Sequence, residues 1–461
     1  MFQQWPRWRL PVLIYLICTG VYMVVAGPRL LRPTADNHFV HLAMSLMHWQ
    51  LGVINNHPPG HNDWACFDEL HKTTCAPSAW PPPWGRGPKP HEKWYVSFPP
   101  FPALLILPVV WVWGTATLDA LFWVFWAGLS PTILFILLRT LREKGYSQRT
   151  VVDDLILTFL YAFGSVYFFV AVQGSVWFAA SVLISVMVPL LMLVSLEGGH
   201  PWISGCVVGA MLLTRPNTIP LALIPILEIL QAHPSPTATP STSARGALHQ
   251  LLLWLRTRNW KQSAPKLLAF LIPLGISMGV AMAINHARFE NPFEFGHRHL
   301  MILWRARIEK WGLFNYHYLS KNLAVALTSL PWLTTREPHI IISRHGLALW
   351  VTTPALLLLL WPKRPIDFRM HTYIWSSCIV ALINLLYQNT GWIQFGYRFA
   401  TDYLTIWFTL LALGRQNLRS FGFLGAAVFA VVVNTFGAIT FDRAWQFYDD
   451  DPTQERVFQP D

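Results

Sequence analysis

Charge is what this chain has least of. Only 12% of its 461 residues are Asp, Glu, Lys or Arg, about half the share of a soluble domain. A soluble enzyme is thereby excluded, and with 53% hydrophobic residues the chain reads as an all-α polytopic membrane protein. Acidic residues are the scarcer sign, 23 against 34 basic, for a net charge of +11. The excess falls mostly in short connections between apolar runs, where positive-inside loops place it, so it does not argue for nucleic acid. Cysteine is sparse as well: Cys18, Cys206 and Cys378 lie in apolar segments, Cys66 and Cys75 share one polar loop, and no paired C-x-x-C zinc pattern occurs. Cys66 and Cys75 form a disulfide if that loop faces an oxidising compartment and are otherwise two free thiols.

Aromatics, by contrast, are abundant. The 24 Trp and 29 Phe suit interfacial belts and lipid-facing surfaces. Arg7 and Arg9 precede an apolar run over 10–26, which reads as an uncleaved anchor starting in the cytoplasm. Ten further crossings are expected, at 119–138, 151–172, 176–195, 202–213, 217–231, 267–284, 346–361, 372–388, 400–414 and 421–440, making about 11 transmembrane helices in a single transmembrane domain over 1–461. The segment 98–114 is apolar but carries Pro99, Pro100, Pro102 and Pro108. Treating it as re-entrant or juxtamembrane keeps the basic loop with Arg139, Arg142, Lys144 and Arg149 inside, and later loops then obey the charge rule.

This topology gives a first outer loop over 27–118, with a helix along the membrane surface from 36 to 51 and an irregular Pro-, His- and Trp-rich stretch after it. A flexible cytoplasmic linker covers 232–266, a basic outer loop 285–345, and an outer C-terminal tail with Asp449, Asp450 and Asp451 covers 441–461. Between Asn285 and Asn322 stand six Lys/Arg against three Glu, on the side where positive charge should be sparse. Such a surface calls for an anionic partner, and a lipid phosphate is the nearest.

Asp36 is the residue around which these observations gather. It lies about ten residues past the first apolar run, at the membrane surface, where an ionisable group usually serves a site. Its ordinary alternative is the N-cap of the following helix. Asp63 and the pair Asp68-Glu69 share the loop and read as solvated charge. His38, His41, His48, His57, His61 and His71 crowd the same region, so a divalent metal stays open, and the residues name no other cofactor. Arg398 follows a Gly-containing outer turn and opens the 400–414 run, where a forked donor suits a phosphate; Asp402, one turn on, would be its natural ion-pair partner and would compete with that role.

Four stretches carry a resemblance. Asp36-Asn37-His38 leading into Leu42-Ala43, then Lys93-Trp94-Tyr95-Val96-Ser97-Phe98-Pro99-Pro100-Phe101-Pro102, resembles the first outer loop of the GT-C superfamily of polyprenyl-phosphate-sugar-dependent glycosyltransferases, which includes protein O-mannosyltransferases and the aminoarabinose transferase of lipid A. Segments 285–296 and 391–399 are similar to those of bacterial members of uncertain substrate. The resemblance implies a GT-C fold with Asp36 as catalytic base and Arg398 and Arg288 as donor-phosphate partners; Arg298 is a further candidate phosphate partner, and His38, Asp63 and Tyr95 are candidate supporting or acceptor-side residues. It further implies a hexosyl- or pentosyltransferase of the inner or plasma membrane, working on its periplasmic side with a lipid, glycan or protein acceptor. The chain departs from the pattern in having Asn37 and His38 where many members carry a second acidic residue. It also lacks the Trp-Trp-Asp motif of oligosaccharyltransferases, which argues against transfer of a preassembled glycan. A transporter or flippase for a lipid or lipid-linked glycan is the rival reading. It would place ionisable residues deep in several helices, and Arg215, beside a short helix, is the one that comes near.

Overall fold

A computed structural model describes residues 6–233, 257–302 and 304–449. Most of the linker expected over 232–266, together with Asp450 and Asp451 of the tail, lies outside them. Among the described residues five helices are long and apolar enough to cross a membrane: Arg9–Leu31, Asp119–Glu143, Val176–Gly198, Trp260–Phe289 and Phe421–Thr440. Helices of ten or more residues are α1 (Arg9–Ala26), α2 (His38–Met47), α3 (Phe101–Trp113), α4 (Asp119–Glu143), α5 (Val151–Phe163), α6 (Val176–Ser195), α7 (Pro201–Leu212), α8 (Leu223–Ala232), α9 (Trp260–Phe289), α10 (Phe368–Leu385), α11 (Leu404–Leu413) and α12 (Phe421–Thr440).

Burial sorts these helices into post and wall. The apolar window of α6 is 83% buried, whereas those of α9 and α12 are 22% and 28% buried. A helix apolar all round and enclosed is a core element, so α6 is the central post; α9 and α12 turn Leu271, Ile276, Val428 and Val432 outward. Polar side chains join the post to its neighbours, as Ser130 of α4 donates to Ser185 O (2.6 Å) and shares a hydrogen bond with Tyr161 of α5 (2.7 Å). Small residues admit close helix approach. A Cβ on Gly205 of α7 would sit 2.2 Å from Phe270 O of α9, and one on Gly209 would sit 2.2 Å from Ser277 Oγ.

Most of the other expected crossings are shorter or broken, and prolines and glycines explain where; 372–388 is the exception, an unbroken α10 of 18 residues. The segment 151–172 splits at Gly164, and 346–361 splits at Pro354 into Leu349–Thr352 and a 3-10 turn, Pro354–Leu360. In lipid the freed carbonyls need partners. Thr353 Oγ1 donates to Gly164 O (3.1 Å) and Asn434 Nδ2 to Thr352 O (2.6 Å), so the two breaks are satisfied by each other and by α12. The 13 residues of α3 give a helix of roughly 20 Å against a hydrocarbon core of about 30 Å.

The fold is not purely α. The stretch expected to be irregular holds an antiparallel sheet of order β2-β1-β3, made by β1 (Trp64–Asp68), β2 (Thr73–Thr74) and β3 (Glu92–Val96), with Cys66 opposite Trp94. Cys66 and Cys75 are disulfide-bonded across its hairpin. β4 (Trp332–Leu333), β5 (Ile340–Ser343) and β6 (Tyr448–Asp449) form a second sheet, in which β5 and β6 run parallel. Valine and aromatic residues and a closing disulfide outweigh the Pro- and His-rich composition of the first loop.

The basic turns collect at one end of the bundle. Arg149 donates to Leu411 O, Ala412 O and Gln416 O, Arg369 pairs with Glu228 (2.5 Å), Arg419 with Asp153 (3.0 Å) and Lys144 with Glu197 (2.6 Å). Asp36, the residues just before the first sheet and the 285–322 loop lie among a different set of partners, around one large opening.

Candidate functional site

That opening is a cavity of about 1490 Å³ whose wall includes Asp36, Asn62, Asp63, Trp177, Phe178, Arg215, Asn217, Arg298, Asn384, Tyr387 and Arg398. Six separated segments supply them: the loop after α1, the entry to β1, the start of α6, the break after α7, the loop after α9 and the chain from α10 into the 3-10 turn Arg398–Asp402.

Asp36 is held by its backbone. Val176 N, at the start of α6, donates to Asp36 O (3.0 Å), and Thr34 N donates to Asp119 Oδ1 (2.8 Å). The Asp36 side chain does not cap α2, whose N-cap is Asn37. Among the described residues its side chain accepts only a long bond, from Asn62 Nδ2 to Oδ1 (3.3 Å), so the carboxylate stays available to the cavity. Burial pushes its pKa above the usual carboxylate value, partly offset by the Asn62 bond.

Asp63 is not the solvated loop charge expected of it. Trp177 Nε1 donates to its Oδ2 at 2.6 Å. Burial raises its pKa to about 6; the Trp177 bond pulls the other way, the negative charge of Asp36 adds to the rise and the positive charge of Arg398 opposes it. Asp63 therefore stands electrostatically between the two residues singled out in the sequence.

Arg398 is 6% exposed, and its Nε is buried with no hydrogen-bond partner. Among the described residues no carboxylate lies within ion-pair distance of it. Its backbone N–H donates to Gln394 Oε1 (2.9 Å), and Gln394 Nε2 donates to His345 O and Thr390 O (2.7 Å each), which fixes the turn. The guanidinium lies over Phe178 and Phe399, 5.1 and 5.8 Å from the ring centroids. Those rings offset part of its desolvation.

Asp402 does not pair with Arg398. It is fully buried and takes Arg215 instead (Nη2–Oδ2 3.0 Å, Nε–Oδ1 2.9 Å), with Asn217 Nδ2 (2.7 Å) and Asn384 Nδ2 (3.0 Å) on the same Oδ2. The sequence-based competition for Arg398 is thus absent, because the 3-10 turn points Asp402 towards the α7 break. Arg215, Asn217 and Asn384 were not assigned to the site from sequence. The charge in Arg215-Pro216-Asn217, at an interrupted apolar segment, was the one signal available.

The remaining candidates scatter. Arg298 lines the cavity, 3.7 Å from Glu294. Arg288 is 3% exposed and lies outside the lining; it donates to Val96 O (2.7 Å) and Asn285 Oδ1 (3.0 Å) and holds β3 to the end of α9. His38 is buried behind Asp36, stacked on Trp64 at 4.2 Å with Nε2 2.7 Å from Asn62 O, and burial lowers its pKa to about 4. It is a neutral wedge that sets Asn62. Tyr95 packs on Phe289 at 5.3 Å, with its hydroxyl 3.5 Å from Glu69 Oε1, away from the cavity wall. Much of the positive charge of the 285–322 loop is engaged within the protein: Arg305 meets Glu309 (2.8 Å) and Cys75 O (3.0 Å), Arg307 meets Gln388 O (3.2 Å) and Lys310 covers Trp311.

No protein-family model matches the chain, and no curated protein matches it. Among solved structures it is similar to the oligosaccharyltransferase of Archaeoglobus fulgidus tethered to an acceptor peptide containing the NVT sequon, at 12% identity over 96% of this chain and TM-score 0.43. It is also similar to the Archaeoglobus fulgidus oligosaccharyltransferase AglB in complex with an inhibitory peptide and a dolichol-phosphate, at 11% identity over 96% of this chain and TM-score 0.42. The chain spans 56% of the length of each.

Proposed function

We propose that this protein is an inverting glycosyltransferase of the GT-C type, which moves a sugar from a polyprenyl-phosphate-linked donor to a hydroxyl of a lipid, glycan or protein acceptor. One observation carries the reading. A carboxylate free to accept a proton and a buried arginine with, among the described residues, no carboxylate at ion-pair distance line the same cavity, and Asp63 is in electrostatic reach of both. A buried cation left unpaired costs several kcal/mol, and a phosphate monoanion entering the cavity supplies the missing charge.

The acceptor hydroxyl docks at Asp36, which removes its proton as the oxygen attacks the anomeric carbon from the face opposite the phosphate. The new C–O bond forms as the anomeric C–O(phosphate) bond breaks, and its electron pair leaves on the phosphate. Arg398 takes the departing charge with forked N–H donors. Arg298, nearer the edge, assists it; Arg288 acts by fixing β3. Asp63 keeps Trp177 and Asn62 in place and sets the local potential. No step is assigned to a metal. The active face is read as the extracytoplasmic side of a cell membrane, because the basic turns cluster at the other end.

Replacing Asp36 by Asn keeps its shape and removes the base. We expect D36N to retain the wild-type melting midpoint while release of polyprenyl phosphate from lipid-extract donors falls by a factor of about 10²–10⁴, the range for general base catalysis. Release at the wild-type rate would overturn the assignment.

A further inference from the structure

Outside the cavity, the outer sheet brings three metal-ligating side chains together. β1 ends at Asp68, a tight turn carries the chain to His71, and β3 is entered from His91. Asp68 is paired with Glu92 in the sheet and Glu69 N donates to His91 O (2.8 Å), so backbone hydrogen bonds hold His91 beside Asp68. The N–H groups of Leu70 and His71 both donate to Asp68 Oδ1 at 3.0 Å. That leaves Oδ2 facing the imidazoles, 2.8 Å from His71 Nδ1 and 3.7 Å from His91 Nε2. All three ligand atoms lie within 4.8 Å of one another.

Zinc bound to nitrogen and oxygen at 2.0–2.2 Å in a tetrahedron separates its ligand atoms by roughly 3.4 Å. The two observed separations bracket that value, and the exposed His71 ring and the partly buried His91 ring can each turn about χ2 towards a shared ion. Two imidazoles and one carboxylate suit zinc rather than calcium or magnesium, which take oxygen ligands. Sulfur is unavailable, since Cys66 and Cys75 are bonded to each other. That disulfide also closes the loop carrying Asp68 and His71, so two of the three ligands ride on a preformed hairpin. None of the three lines the cavity.

The geometry points to a structural zinc site formed by Asp68, His71 and His91, with water as the fourth ligand, that clamps the hairpin of the outer sheet to the entry of β3. Its position gives it a consequence for the cavity, because the strand it clamps begins at Trp64, directly after Asn62 and Asp63. The ion would secure that strand and supply no chemistry to the transfer.

The test uses full-length, tag-free protein in detergent, stripped with chelator and titrated calorimetrically with zinc, with magnesium as the comparison ion. One equivalent of zinc is expected to bind, and H71A and H91A should each weaken it by more than the ~10–100-fold that outer-shell changes cost. His57, exposed in the same loop, serves as the control: H57A should bind as wild type. Zinc should also raise the melting midpoint of wild type and of H57A but not of H71A. Absence of saturable binding, or binding that H71A and H91A leave unchanged, would overturn the proposal. Both readouts are independent of transferase activity.

Discussion

Replacing Arg398 by Gln removes the charge and leaves a shorter amide that reaches only the position of Nε. In the free protein the change relieves a buried cation that has no carboxylate partner and an unbonded Nε. It forfeits the contacts with Phe178 and Phe399, about 0.5–2 kcal/mol, which the relief of desolvation offsets. The melting midpoint should therefore stay near that of wild type. With a phosphate in place the balance differs. Two charge-assisted hydrogen bonds contribute about 1.5–3 kcal/mol each, and the amide keeps a fraction of one. A net loss of about 3–4 kcal/mol corresponds to a factor of roughly 10²–10³ in Kd at 1.4 kcal/mol per decade. The assay is binding of a polyprenyl monophosphate to protein in lipid nanodiscs, read through quenching of tryptophan fluorescence. A Kd within threefold of wild type, or a fall in stability large enough to explain the loss, would refute the reasoning.

Arg215 should behave in the opposite way. R215A leaves fully buried Asp402 with only the amides of Asn217 and Asn384 and should cost about 3–5 kcal/mol, seen as a lower melting midpoint that D402N partly restores in the double variant; unchanged stability would contradict the assigned pairing. Asp63 carries a pH signature. Its pKa rises from 3.8 to about 6 on folding, so the folded protein keeps a proton that the unfolded chain has lost, and this group destabilises the fold progressively as pH rises through that window. Melting of D63N and wild type should coincide in this respect below pH 3.8, diverge in favour of D63N up to about pH 6, and run parallel above it; curves parallel throughout would sink the point.

Much of the architecture could be read from hydropathy, because long apolar runs interrupted by basic turns admit few alternatives. The breaks were harder to see. Periodicity and composition make 151–172 a single run, and only the carbonyl of Gly164 meeting Thr353, 189 residues away, shows why the chain can afford to stop there. The sheet over 64–96 was hidden by its prolines and histidines, and closure by Cys66–Cys75 is a tertiary fact. Within the site, Asp36 and Arg398 were visible as charges misplaced against an apolar background. Arg288 looked equivalent by that criterion, yet it lies outside the cavity lining and bonds to a strand carbonyl. Spacing cannot separate a guanidinium that caps backbone from one that awaits a ligand. The opposite fates of Arg398 and Arg215 were likewise illegible, since which of them receives Asp402 depends on the orientation of a 3-10 turn.

The most direct measurement is a structure of the protein in nanodiscs with a polyprenyl phosphate bound. The account predicts phosphate oxygens at about 2.7–2.9 Å from the Arg398 guanidinium, the distance of a charge-assisted hydrogen bond, with the prenyl chain leading out of the cavity and Asp36 across the vacant sugar position. A phosphate seated elsewhere, with Arg398 still without an anion, would contradict it.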